Sequence, residues 1–205
     1  MVKTAAKIIS VIFHPLLLPT LLVLLLQKFL PSLIEIKAEY RLTIISLIFV
    51  FTFVMPVINL LMLKFFGNGN SLTMELREQR VLPFTFIMLL YVLFTLLIYY
   101  KLPFSQNFNK IMLIITSMVA VTWLITFFYK ISVHSLSVSG GLGIVLPLNQ
   151  VTEQNTLLFP TVAIILLAGV VMSARLLLNA HSPREVMYGS VVGFLIGFGG
   201  MLLLF

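Results

Sequence analysis

The sequence predicts an all-α integral membrane protein, a helical bundle of six to seven transmembrane spans. Three observations lead there. Of 205 residues, 60% are hydrophobic and only 9% charged, against about 25% charged in soluble domains. Apolar residues fall in long runs of the length an α-helix needs to cross a bilayer. Charged residues gather in the short links between those runs. With a mean hydropathy of +1.16, a soluble fold has no interior large enough to hide the apolar surface, so lipid must be its solvent. No hydrophilic stretch is long enough for a second domain, and residues 1–205 read as a single transmembrane domain.

Composition narrows the chemistry. There is no cysteine, so disulfides, thiolate catalysis and cysteine metal sites are out. There is no aspartate either, and the acidic residues are Glu35, Glu39, Glu75, Glu78, Glu153 and Glu185. The formal charge of +7 comes from scattered Lys and Arg without a basic run. That distribution fits anionic lipid headgroups and speaks against a nucleic acid partner. The first apolar segment is long for a signal-peptide core and no small-residue cleavage site follows it, so it reads as a retained span.

Taken in order, span one covers roughly 8–30 and is kinked by Pro15 and Pro19. Span two covers roughly 42–66, with Pro56 inside it. The turn Gly67-Asn68-Gly69-Asn70 and a charged stretch, Ser71 to Pro83, lead to span three, roughly 83–100. Span four is roughly 111–129. The fifth, short span runs from about Ser132 to 149, and spans six and seven are roughly 156–178 and 185–205. On span seven, Gly189, Gly193 and Gly197 recur every fourth residue, a spacing that lets a helix of the same chain approach closely. Gly140, Gly141 and Gly143 suggest the same for span five.

Three links carry the reactive side chains. They follow spans two, four and six, so an even number of crossings separates each from the next, and all three lie on one membrane face. The fifth span decides this, because without it the third link changes sides. That third link holds Arg175, His181 and Glu185. An arginine fork suits phosphate oxygens, an imidazole attacks phosphorus or moves protons near neutral pH, and a carboxylate on its second nitrogen fixes the tautomer. Ser182-Pro183-Arg184-Glu185 also has the form of a capping box, and the two roles of Glu185 are compatible. The helix start itself favours an anion. The second link supplies Lys130, Ser132 and His134. An isolated His134 would read as a hydrogen-bonded interfacial histidine, and the shared face makes it an acid/base candidate instead. The first link offers Arg77 and Arg80, which alone would pair with Glu75 and Glu78 in a solvated loop, but in company complete a cationic pocket. His14 has no such company and reads as structural.

These residues resemble the type-2 phosphatidic acid phosphatases, integral membrane lipid phosphatases related to haloperoxidases. Arg175, five residues, His181, three residues, Glu185 matches that family's third motif in spacing, with Ala174 for its serine and Glu for its aspartate. Ile131-Ser132-Val133-His134 matches the second motif, Pro-Ser-Gly-His, at serine and histidine. The first motif is loose, with Arg80 and Pro83 present but not adjacent. The resemblance covers roughly residues 75–190 and implies a phosphatase-like core over approximately 75–205.

It implies His181 as the nucleophile that forms a phosphohistidine, Glu185 orienting it, and His134 protonating the leaving lipid oxygen and then activating water. Arg80, Arg175, Ser132, Lys130 and Arg77 would hold the phosphate, with no metal and no cofactor. The substrate would be a lipid phosphate monoester or diphosphate: phosphatidate, phosphatidylglycerophosphate or a polyprenyl diphosphate. Val133 in place of the family glycine leaves a second function open, an inactive relative that binds or translocates a lipid phosphate. A proton-coupled transporter fits less well, because the polar residues sit at span ends. Lys and Arg favour the motif face in the cytoplasm when all are counted, and the other face when site residues are set aside. The family's bacterial members place the expected site on the periplasmic face of the inner membrane.

Overall fold

A computed structural model describes residues 2–66, 78–102, 104–151 and 156–205, and every described element is helical. Five helices are long and apolar enough to cross a membrane: Ala38–Phe65, Glu78–Lys101, Gln106–Thr126, Leu158–Leu177 and Pro183–Leu204. Mid-helix leucines on three of them face outward, with Leu93 62%, Leu166 66% and Leu195 61% exposed. Surface of that kind in the middle of long apolar helices needs hydrocarbon around it.

The first predicted span is not one helix. It divides into α1 (Val2–Ile12) and α2 (Leu18–Phe29). Pro15 has no N–H to give and disfavours helical geometry at His14, so the ladder stops there. Neither piece matches the length of the five long helices. A short α3 (Pro31–Ile34) ends on Glu35 in left-handed geometry.

The second predicted span is continuous but contains a defect. Residues Arg41–Phe49 (α4) and Met55–Phe66 (α5) flank a π-helical turn, Val50–Val54. The cause is Pro56, which cannot donate to the carbonyl of Thr52 four residues back. Tyr91 on α6 (Glu78–Lys101) donates its hydroxyl to that oxygen at 3.2 Å, and its ring is 2% exposed. A backbone irregularity inside the bundle is thus satisfied by a side chain from a neighbouring helix.

Helix α6 lies against α7 (Gln106–Thr126). Thr95 and Thr116 hydroxyls meet at 2.6 Å, and Trp123 Nε1 donates to Thr85 Oγ1 at 2.8 Å. Helix α8 (Val133–Val151) sits among α2, α7, α9 (Leu158–Leu177) and α10 (Pro183–Leu204). Its 19 residues match the expected fifth span, yet it is not among the five helices long and apolar enough to cross. The reason is its polar side chains, which turn to protein and not to lipid. His134 meets α1, Ser139 meets Ser190 of α10 at 2.8 Å, and Asn149 donates to Thr161 of α9 at 2.7 Å.

The tightest contact is between α8 and α10. A methyl group at Gly189 would stand 2.5 Å from Ser132 O. One at Gly193 would strike Leu136 O, and one at Gly197 would strike Gly140 O. Each contact advances by four residues on both helices, so α8 and α10 run parallel over the same depth. The every-fourth-residue glycines therefore serve packing within the chain, as the sequence suggested.

Two substitutions test this architecture. Gly193→Ala forces its methyl into backbone and should cost about 1–3 kcal/mol, whereas Gly141→Ala, with nothing within 4 Å, should leave stability unchanged. Denaturant unfolding in mixed micelles distinguishes them. Tyr91→Phe removes the donor to Thr52 O and should cost about 1–3 kcal/mol in the same assay.

Candidate functional site

Three chain segments meet at one end of the bundle. Two residues past the end of α9, Asn179 takes left-handed geometry (φ 50°), which turns the chain so that Ala180 N donates to Arg175 O at 3.2 Å. His181 follows, 8% exposed. Ser182 then caps α10, its hydroxyl accepting from Glu185 N at 3.3 Å, with Pro183 in the first turn. Only half of the capping box forms. The Glu185 carboxylate turns to His181 instead, accepting a hydrogen bond from Nδ1 at 2.6 Å. Backbone capping and side-chain orientation by Glu185 coexist because they use different atoms.

The link before α8 is held from both sides. Ser132 N donates to Glu185 O at 3.0 Å, and Arg80 Nη1 donates to Ile131 O at 3.3 Å. Lys130 Nζ stands 3.9 Å from the Glu185 oxygen that His181 uses. Arg80 comes from the first turn of α6, not from a loop as the sequence suggested. Ser132 does not face the open space. It is fully buried, and its hydroxyl accepts from Ser135 N and Ser135 Oγ at 3.4 and 2.9 Å. That makes it the helix cap of α8, and it is not among the residues that line the neighbouring cavity. Arg77 lies outside the described residues.

Beside these groups a cavity of about 980 Å³ opens into the bundle. Its polar end is lined by His181, His134, Arg80, Arg175 and Lys130, and its inner wall by apolar side chains such as Leu22, Ile87 and Ile144. Glu185 stands behind His181 and not on the wall. The Nε of Arg175 is buried and has no hydrogen-bond partner among the described residues. An unpaired buried donor on a cation is costly, and because that atom is walled off by protein, other atoms of the Arg175 side chain form its part of the cavity wall. Among the described residues no group of three or more His or Glu side chains is placed to hold a metal ion.

His134 lies on the first turn of α8, and its Nε2 donates to Ser10 O of α1 at 3.1 Å. Its ring meets that of His14 edge to face at 5.5 Å. His14 also lines the cavity, so the residue that looked merely structural stands with the others. The available signal was a histidine before proline inside an apolar run, and only the break after α1 brings it here.

Burial sets the charge of His181. Loss of solvent pushes its pKa down from 6.5 to about 4, partly opposed by the Glu185 hydrogen bond, while Arg80 and Arg175 add to the depression. At neutral pH the ring is therefore neutral. Nδ1 keeps its proton for Glu185, and Nε2 carries a lone pair with no partner among the described residues. No family model, no curated protein and no solved structure matches the chain.

The depressed pKa has a signed consequence. Between pH 6.5 and 4 the unfolded chain binds the proton that folded His181 refuses, so His181's contribution to stability is full above 6.5 and is lost as pH falls toward 4. Imidazole ¹⁵N shifts followed against pH should give a His181 midpoint near 4. A midpoint near 6.5 contradicts the burial argument.

Proposed function

We propose that this protein is a membrane lipid phosphatase that hydrolyses a phosphate monoester or diphosphate of a lipid through a phosphohistidine. The observation that carries this is the state of His181. It is a neutral imidazole with Nδ1 held by a carboxylate at 2.6 Å, on the wall of a cavity that also presents Arg80 and Arg175. A lone pair on Nε2 is what attack on phosphorus needs, and the guanidinium groups suit the charge of the phosphoryl oxygens. The apolar inner wall suits a hydrocarbon chain, so the cavity matches an amphiphile better than a soluble phosphate ester.

In the proposed reaction Nε2 attacks phosphorus and the bond from phosphorus to the lipid oxygen breaks. That oxygen takes a proton that His134 has accepted from solvent on Nδ1, and leaves as the lipid hydroxyl or phosphate, which returns His134 to its neutral form. Water, deprotonated at His134, then attacks the phosphohistidine, releasing phosphate and restoring the lone pair on His181. Glu185 stabilises the positively charged ring during each half. The resemblance to type-2 phosphatidic acid phosphatases supports the same roles, and phosphatidate, phosphatidylglycerophosphate and polyprenyl diphosphates are the candidate substrates.

We infer six crossings, the five long helices and α8, because α8 runs parallel to α10 over the same depth. On the family analogy the site opens to the periplasmic face of a bacterial inner membrane. A second function, binding or translocation of a lipid phosphate without turnover, is favoured by one observation. The His134 Nε2 proton is already donated to Ser10 O, which ties up the expected acid.

Purified protein in detergent should release phosphate from one of these lipids without added metal, and His181→Ala should reduce release by at least about 1,000-fold. Undiminished release from His181→Ala rules out the phosphohistidine. Tight lipid-phosphate binding with no release from any candidate selects the binding function.

A further inference from the structure

We propose that His14 is a third imidazole of the site, donating its Nε2 proton in a hydrogen bond to an oxygen of the bound phosphate; this rests on the phosphate function above. His14 sits in the break between α1 and α2, where Leu17 N donates to its carbonyl at 2.8 Å. Its Nδ1 accepts from Leu16 N at 3.3 Å. A nitrogen that accepts carries no proton, so the neutral ring bears its proton on Nε2. That atom has no partner among the described residues and is not walled off by protein. The ring lines the cavity and stands edge to face with His134 at 5.5 Å. Arg175 is close enough for its charge to act on His14 and on His181 alike.

The three imidazoles are in different hydrogen-bond states, and the difference carries the assignment. His181 gives its proton to Glu185 and shows a lone pair. His134 gives its proton to Ser10 O, which leaves Nδ1 as a lone pair too. Phosphate oxygens are acceptors and need donors. Of the three rings, His14 is the one with an uncommitted N–H. The proline that follows it serves this arrangement, since Pro15 ends α1 and leaves His14 in a turn instead of a helical ladder.

The experiment must separate this role from the turn that His14 also makes. His14→Asn does so. An Asn carbonyl oxygen accepts from the N–H two residues on, as in an Asx turn, but has no donor at the position of Nε2. The full chain in detergent micelles is titrated with inorganic phosphate by calorimetry, and phosphate release from phosphatidate is measured in parallel. His14→Asn should unfold at the wild-type temperature, bind phosphate about tenfold more weakly and release it more slowly. Wild-type binding by His14→Asn overturns the assignment and leaves the phosphatase function standing. If the variant does not fold, long-range ¹H–¹⁵N spectra of the wild type decide. The His14 Nε2–H signal should move on adding phosphate, and an unmoved signal overturns the proposal. Wild-type protein that neither binds phosphate nor releases it removes the function and this inference together.

Discussion

The close parallel packing of α8 on α10 is the constraint on which the rest depends. Gly189, Gly193 and Gly197 bring one backbone against the other at Ser132, Leu136 and Gly140. Without side chains between them, the two helix starts lie close enough for Ser132 N to reach Glu185 O. That bond joins the link before α8 to the first turn of α10. Lys130 and His134 are thereby placed on the same side of the bundle as His181 and Glu185. In lipid, where no hydrophobic force draws helices together, small residues and interhelical hydrogen bonds are the available means. Both are used here, with the Ser139–Ser190 pair about two turns further in.

Polar chemistry at such a place has to be satisfied internally. The protein does so unevenly. Ser132, Ser135 and the Thr52 carbonyl are paired within the fold, as backbone defects and caps require. Arg175 Nε, His181 Nε2 and His14 Nε2 have no partner among the described residues, and their side chains line one cavity. Complete pairing in one region beside unmet donors and lone pairs in another separates scaffold from site. Burial leaves Arg175 Nε unmet and also keeps His181 neutral, with its Nε2 lone pair available.

Much of this was legible in residue spacing. Arg175, His181 and Glu185 are local in sequence, and a turn between two helices can be arranged in few ways, so the His181–Glu185 bond was a fair expectation. The glycine period on α10 was equally plain, because a helix presents every fourth residue on one face. An even number of helices between the links leads one to expect Arg80, Lys130 and His181 at the same end, and with α8 parallel to α10 all three line one cavity. For Ser132 the sequence leaves two roles open, because a serine before a helix serves equally as cap or ligand, and its burial and its bonds from Ser135 show the cap. The first apolar run divides into α1 and α2, which its prolines alone do not reveal, since a proline there is compatible with either a kink or a break.

By itself, then, the sequence determined the solvent, the helical class and the local trio of Arg175, His181 and Glu185. Composition and short-range periodicity are properties of the chain alone. Tertiary structure decided which nitrogen of each histidine is occupied, which arginine atom is left unpaired, and that His14 joins residues more than a hundred positions away. Those facts depend on which hydrogen-bond partners burial brings within about 3 Å, and no pattern along one chain encodes such distances directly.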